Sequence, residues 1–208
     1  MTLTVFGANG PLGRRLVGQA ADHGHRVRAV VGIGNTAPEF PSGVTVIEAD
    51  IYEGTNLKAA VEGAAAVCNV CRHSRLTPPD YMAVGGRHLL EAMAAVGPDR
   101  YLTVVPAAAG GPDTTAGLGE RVAITLFRLV RPTITADAAA HVEEVTDWGL
   151  DWTIVRPLRL TEGPPTRRYT TGEISLGVRG VSNGDAAAFL LDCYERGIYC
   201  RMQPKIRP

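Results

Sequence analysis

Residues Thr2-Leu-Thr-Val-Phe-Gly-Ala-Asn-Gly-Pro-Leu-Gly-Arg-Arg-Leu-Val17 decide the fold. A short apolar strand over residues 3–6 runs into a turn with three glycines and then into a helix. Such a turn gathers free backbone N–H groups and the positive end of a helix at one point, which suits a diphosphate. Gly7 allows the tight turn, Gly10 lets phosphates approach the backbone, and Gly13 lets the helix pack closely on the strand. The stretch therefore predicts a nucleotide-binding turn.

The rest of the chain repeats the alternation of strand and helix. We expect further strands over residues 26–31, 44–48, 65–71, 100–105, 149–157, 174–178 and 197–200. We expect helices over residues 11–22, 55–61, 80–96, 135–149 and 186–195. The last helix has Asn183 or Asp185 as its expected cap, and the tail 201–208 carries no readable signal. This order predicts one α/β domain over residues 1–208, a doubly wound and mostly parallel sheet with helices on both faces.

Composition excludes several classes of function. The 208 residues hold 21 Lys and Arg against 21 Asp and Glu, so no global field favours nucleic acid or a membrane surface. No apolar run approaches the roughly 20 residues of a membrane helix. Four cysteines without an export signal favour a reducing cytoplasm. Cys68 and Cys71 are expected within a strand as lining residues, and we expect no metal site.

Three segments resemble one family of proteins. The spacing G-x-x-G-x-x-G in Phe6-Gly-Ala-Asn-Gly-Pro-Leu-Gly13 is similar to the atypical short-chain dehydrogenase/reductases, including the NmrA-like NAD(P)-binding proteins. Gly149-Leu-Asp-Trp-Thr-Ile-Val-Arg-Pro157 resembles the same group, and residues 76–90 resemble the biliverdin-IXβ/flavin reductases. The resemblance implies a single Rossmann-like domain that binds NADP or NAD and a small-molecule substrate. It leaves the oligomeric state open.

The resemblance also implies a set of cofactor contacts. It places the adenine against Asp50 and Ile51, although Asp50 is equally well explained as a helix cap, and it closes the nicotinamide side with Pro157 and Leu158. The full set of expected cofactor contacts is Gly7, Asn9, Gly10, Pro11, Leu12, Gly13, Arg14, Asp50, Ile51, Cys71, Arg72, Pro106, Pro157 and Leu158.

The choice between NADP and NAD stays open at the sequence level, with a slight preference for NADP. The family usually has arginine where this chain has Gly32, and no acid stands there either. Arg14, Arg15 or Arg28 could supply a positive charge, or they could simply be solvated.

The chain departs from the family at the groups that reduce carbonyls. Typical members carry Tyr-x-x-x-Lys, whose tyrosine gives a proton to the developing alkoxide. Here Ala138, Ala139 and Ala140 cover the place of the lysine, and no tyrosine stands four residues earlier. Strand five ends in Pro106 rather than in the usual serine. The standard machinery of carbonyl reduction is missing.

Two histidines are the remaining candidates for acid–base chemistry. His73 follows strand four, in a loop that passes beside the nicotinamide in the resembling reductases, and His141 lies on the helix that usually faces the substrate. Each has an alternative interpretation, His73 as a solvated loop residue and His141 as a structural residue. Arg159, Arg167 and Arg168 could receive an anionic substrate or face solvent.

Two functions follow from these observations. The first is an NAD(P)H-dependent reductase that transfers hydride to a flat conjugated acceptor without Tyr and Lys, because positioning alone supplies much of the rate. The alternative is a non-redox NAD(P)-binding protein, either a redox sensor or a cyclase or isomerase that uses the fold as a scaffold.

Overall fold

The chain alternates strands and helices over the residues that the computed structural model describes, which are 1–74, 76–109 and 115–208. The strands are β1 (Thr2–Phe6), β2 (Arg26–Val31), β3 (Thr45–Glu48), β4 (Ala66–Asn69), β5 (Arg100–Val104), β6 (Asp151–Pro157), β7 (Leu160–Thr161), β8 (Thr170–Gly172), β9 (Val181–Ser182) and β10 (Lys205–Arg207). The helices are α1 (Pro11–Asp22), α2 (Leu57–Val61), α3 (Tyr81–Val96), α4 (Leu118–Val130), α5 (Pro132–Asp147) and α6 (Asn183–Glu195).

One sheet runs through the centre of the molecule. In the described residues it has eight strands in the order β3-β2-β1-β4-β5-β6-β10-β8. Its neighbours pair in parallel except for β10 and β8, which are antiparallel. The predicted doubly wound, mostly parallel α/β fold is therefore confirmed.

Alternation of side chains along β1 explains why helices cover both faces. Leu3 and Val5 point into a core shared with α1 and α6, while Phe6 belongs to the core on the other face, formed with α2, α3 and α5. Both faces of this strand are buried, as expected for a central strand of a parallel sheet, and the hydroxyl of Thr4 is satisfied by the carbonyl oxygen of Ala60. On α1, Leu16 and Val17 are fully buried and face the same core.

The order of the strands places a crevice beside β1. The chain passes from β1 through α1 to β2 on one side, and β4 lies on the other side of β1. Connections that leave in opposite directions separate at the carboxyl ends of the two strands, and ligands of open α/β sheets bind at that point. The glycine turn lies at this edge of the sheet.

The C-terminal part of the chain differs from the sequence prediction. Residues 174–178 and 197–200 are not strands, and the tail that carried no signal forms β10 between β6 and β8. Ile206 of β10 is almost fully buried, and its pairing partners lie far away in sequence, so no local pattern marks it. The cap of α6 is neither Asn183 nor Asp185 but Ser182, whose hydroxyl accepts the backbone N–H of Asp185.

Strand β4 is shorter than expected and ends before Cys71. The side-chain oxygen of Asn69 accepts the N–H of Cys71 at 3.1 Å and closes a turn there. The prediction that both cysteines lie within the strand is therefore wrong for Cys71. Cys68 lies in β4 and is buried.

Helix α4 was not expected from the sequence. Its inner side packs Ile124 against Leu176, and its outer side leaves Leu118, Leu129 and Val130 largely exposed. Among the residues described, no helix combines the length and the apolar character needed to cross a membrane.

Candidate functional site

The glycine turn folds as a close contact between β1 and α1. Gly7 has a φ of +80°, and a Cβ there would lie 2.8 Å from the backbone nitrogen of Cys71. The N–H of Gly10 donates to the carbonyl oxygen of Gly7 at 3.0 Å. A Cβ on Gly13 would lie 2.1 Å from that same oxygen, so a side chain there would force the helix away from the strand. Backbone contacts thus require glycine at positions 7 and 13, whereas a Cβ on Gly10 would lie 3.3 Å from the Gly7 oxygen and needs only a small shift.

A cavity of about 850 Å³ opens above this turn. Its wall is formed mainly by the ends of β1 and β2 and by the segments that follow β1, β2, β3 and β4. The expected cofactor contacts that line it are Gly7, Asn9, Gly10, Asp50, Ile51, Cys71 and Arg72. Pro11, Leu12, Gly13 and Arg14 do not line it. Leu12 is instead part of the core that α1 shares with the sheet.

Two polar residues of this wall differ in whether their side-chain oxygens already have hydrogen-bond partners. The side-chain oxygen Oδ1 of Asn9 is buried and has no hydrogen-bond partner in the described chain, so it is an acceptor that a ligand hydroxyl could satisfy. Oδ1 of Asp50 accepts the N–H groups of Tyr52 and Glu53, at 2.9 and 3.0 Å. Asp50 thus shapes the turn after β3 and has a structural role of the kind that the cap interpretation anticipated, although it caps no helix.

A second cavity of about 440 Å³ adjoins the first. The two share Cys71, Arg72 and His73, which follow β4. Apolar side chains from β5, β7, α3, α4 and α5, together with two from the segments between elements, form most of the second wall: Met82, Val104, Ala108, Ala123, Ile124, Phe127, Ile134, Leu160 and Val178. The expected contacts Pro106, Pro157 and Leu158 line it as well. An apolar space of this kind suits a small organic molecule.

His73 stands at the junction of the cavities and is held by a buried carboxylate. Its Nε2 lies 2.5 Å from Oδ2 of Asp137, on α5, and the two side chains are 7% and 2% exposed. Asp137 also accepts the N–H groups of Met82 and Ala83, at 2.8 and 2.9 Å, in the first turn of α3. The carboxylate therefore caps a helix and fixes the imidazole ring at once.

Asp137 was missed by the sequence analysis. On the sequence it is one polar residue among alanines on a helix, which is typical of a solvated position. Its role depends on the packing of α5 against α3, because the two helices are neighbours in the fold. A carboxylate one turn before His141 was the only local signal.

His141 does not face the cleft, so that prediction is wrong. Its side chain is fully buried between α3 and α5, and the position of a Cβ on Gly86 would overlap its ring. Its Nε2 lies 3.4 Å from the hydroxyl of Tyr101, which also accepts the side-chain amide of Asn69. Burial lowers the pKa of His141 to about 4, because the charged form loses its hydration. The residue is neutral and structural.

Cys71 lines both cavities but is not poised for nucleophilic chemistry. Burial raises the pKa of its thiol to about 12, and the neighbouring Tyr81 hydroxyl opposes that shift only in part. Across residues 1–74, 76–109 and 115–208, no group of three or more His, Cys, Asp or Glu side chains could hold a metal ion. The arginines expected near the substrate separate: Arg159 lines the second cavity, while Arg167 pairs with Asp192 away from it.

A glycine turn at the switch point of a parallel sheet, with a cleft above it, defines a nucleotide-binding protein of the Rossmann class. Residues 7–196 match the family described as NAD(P)H-binding, and the chain belongs to that family. The resemblance to atypical short-chain reductases is confirmed at this level.

One relative of known sequence and several solved structures are similar to this chain. An uncharacterized protein of Mycobacterium tuberculosis is 36% identical over 103 residues, which are 49% of this chain and 12% of that protein, so the chain spans a small part of its length. A short-chain dehydrogenase/reductase from Veillonella parvula, solved in complex with NADP, superposes with a TM-score of 0.81 at 16% identity, covering 100% and 94% of the two chains. A candidate NADH-flavin reductase from Streptococcus pneumoniae gives 0.72 at 23% identity, over 100% and 99%.

Proposed function

We propose that the protein is an NAD(P)H-dependent reductase that transfers hydride to a flat, conjugated small-molecule acceptor. The observation that carries the proposal is the junction at Cys71, Arg72 and His73, where a nucleotide cleft meets an apolar cavity. NAD(P)H, when bound, supplies the hydride. The general reductase role agrees with the family and with neighbours described as oxidoreductases.

The residues of the turn fit the diphosphate of such a cofactor. Gly7 and Gly10 line the cavity at the positive end of α1, which favours a phosphate, and the unpaired Oδ1 of Asn9 could accept a hydrogen bond from a ribose hydroxyl. The adenosine half would lie toward Asp50 and Ile51, along the wall of the larger cavity.

The second cavity would hold the acceptor. Phe127, Met82 and Pro157 offer apolar surfaces that exclude water and hold a planar ring against the junction. A fixed geometry of this kind accounts for much of the rate of an intramolecular-like transfer, on the order of 7–11 kcal/mol in favourable cases. The reaction therefore does not require the absent Tyr-x-x-x-Lys pair.

His73 is the group we assign to proton delivery. After hydride arrives at one atom of a conjugated acceptor, another atom takes a proton. Nε2 is held by Asp137 and Nδ1 lies 3.3 Å from the hydroxyl of Thr77, so a doubly protonated His73 would deliver its Nδ1 proton either directly or through that hydroxyl. The proton lost from His73 is replaced from solvent through the open cleft.

The test is a screen for oxidation of NADH and NADPH, followed by the loss of absorbance of the reduced nicotinamide. The acceptors offered are flavins, quinones, enones and simple ketones. We expect turnover with at least one conjugated acceptor and none with simple ketones. Nucleotide binding in a calorimeter without oxidation of any acceptor would overturn the reductase proposal and favour the non-redox alternative, a sensor or a scaffold. His73→Gln serves as the matched control, since it should bind nucleotide and turn over slowly.

A further inference from the structure

The described residues that line the adenosine end of the larger cavity include acids and no Lys or Arg. Among the described residues that line this cavity, the formally charged side chains are Asp50, Glu53 and Arg72. Arg72 also lines the second cavity, so it lies at the junction rather than at the end formed by β2 and β3. The two acids belong to the turn after β3, at the opposite end.

A third acid stands beside the loop that follows β2. Pairing of β2 with β3 sets Val31 opposite Glu48, at the carboxyl ends of both strands. Oε2 of Glu48 lies 3.4 Å from the N–H of Gly34, within the loop whose residues Gly32 and Asn35 line the cavity. In dinucleotide-binding folds the ribose 2′ position lies against the end of the second strand. Glu48 is exposed and is not among the residues that line the cavity, but its contact with Gly34 brings its carboxylate to the loop that does.

Gly32 leaves the place of a phosphate-binding arginine to a neutral group. The amide nitrogen of the Asn35 side chain lies 2.5 Å from the position that a Cβ on Gly32 would occupy. The backbone N–H of Asn35 also donates to the carbonyl of Gly32 at 3.0 Å, which closes the loop on itself. An amide can bind a ribose hydroxyl, but it carries no charge to balance a phosphate.

We infer that this site discriminates against a 2′-phosphate and takes NADH rather than NADPH, with Glu48 and Asn35 as the residues that set the preference. The inference rests on the proposed cofactor role. A phosphate ester adds between one and two negative charges, and carboxylates that no Lys or Arg of the described lining balances repel it. The sequence alone carried a slight preference for NADP, and the acids placed by β3 reverse it.

Titration of the purified chain with NADH and NADPH, read by nucleotide fluorescence, measures the preference directly. We expect NADH to bind at least about tenfold more tightly. Failure to bind either nucleotide would overturn the inference together with the proposed function. Binding of NADPH as tightly as NADH, or more tightly, would overturn the inference alone and leave the reductase proposal standing.

Three variants identify the residues responsible. Glu48→Gln should raise the affinity for NADPH several-fold while changing that for NADH much less, on the scale expected when one repulsive charge is removed. Gly32→Arg should raise it further, because only the exposed Asn35 side chain has to move. Glu62→Gln is the matched control, because it removes the same charge from an exposed residue between α2 and the amino end of β4. It should leave the ratio of affinities unchanged. Equal ratios in all three variants would remove Glu48 and Gly32 from the explanation.

Discussion

At the scale of single residues, Asp137 joins a structural duty to a chemical one. Its carboxylate accepts two backbone N–H groups at the start of α3 and the Nε2 side of His73. Because a charged acceptor is worth roughly 1.5–3 kcal/mol per hydrogen bond, the group contributes to stability whatever its role in turnover. The two duties can be separated by measuring stability and rate on the same set of variants.

For His73 and Asp137 we predict a specific pattern of losses. His73→Gln should lower kcat about 100-fold with an active acceptor, leaving the affinity for the nucleotide and the free energy of unfolding nearly unchanged. Asp137→Asn should lower kcat by a similar factor and the unfolding free energy by about 2 kcal/mol, since the amide cannot accept from all three partners.

The double variant discriminates between positioning and general damage. If Asp137 acts through His73, Asp137→Asn should cost no further kcat in the His73→Gln background, while its loss of stability persists. Steady-state kinetics and urea unfolding measure the two effects. Multiplicative losses of kcat would show that Asp137 does not work through His73.

His141 makes stability depend on pH. Burial lowers its pKa to about 4 in the folded chain, below the ordinary value of 6.5. Between these values the unfolded chain binds a proton that the folded chain does not, so stability is complete above pH 6.5 and falls as the pH falls toward 4. The slope from this one group is at most about 1.4 kcal/mol per pH unit. Urea unfolding at pH 7, 6 and 5 should show it, and His141→Gln should reduce it. Equal slopes in both proteins would contradict the assignment.

At the scale of elements, the contact of α3 with α5 depends on Gly86. A Cβ there would lie 2.2 Å from Nδ1 of His141. The two helices cannot move apart to make room without loosening the core that contains Leu89 and Val145. Gly86→Ala should therefore destabilise the protein by about 1–3 kcal/mol, although alanine favours helix by about 1 kcal/mol. Thermal unfolding measures the change.

A glycine in α1 provides the matched control. Gly18 also lies inside a helix, and a Cβ there would meet nothing within 4 Å. Gly18→Ala should thus raise the unfolding free energy by up to about 1 kcal/mol. A stabilising Gly86→Ala, or a loss of equal size at both glycines, would show that the contact with His141 is not tight.

The helices and strands that could be predicted from the sequence are those whose ends are marked by residues close by in the chain. Helix α1 and strand β2 have the bounds predicted from the sequence, because a glycine turn, Pro11 and a glycine after the helix mark them along the chain. Strand β4 ended early because of a side-chain bond from Asn69, which no apolar pattern records. The cavity lining after β4 could be anticipated from the fold, but His73 and Asp137 meet only through the packing of α5 on α3.

At the scale of the whole molecule, β10 connects the end of the chain to the acceptor cavity. It pairs in parallel with β6 at Arg156 and Pro157, and in antiparallel with β8. Pro157 and the next residue, Leu158, form part of the wall of the smaller cavity. The segment least readable from the sequence thus supports a wall of the site. Its alternation is too short to signal a strand without its neighbours.

Shortening the chain to end at Pro204 tests this connection. The deletion removes two strand pairings and the side chain of Ile206, which is 1% exposed, so we expect a loss of unfolding free energy of about 3–5 kcal/mol. The truncated chain keeps the hydrogen bonds of β6 to Met202 and Pro204 and loses only the pairing beside Arg156 and Pro157, next to the smaller cavity. The KM for the acceptor should therefore rise more than the Kd for the nucleotide, whose turn lies beside β1. Removal of Pro208 alone, an exposed residue, should change neither quantity. Urea unfolding and steady-state kinetics give both measures. A shortened chain with normal stability and normal acceptor KM would mean that β10 supports neither the sheet nor the cavity.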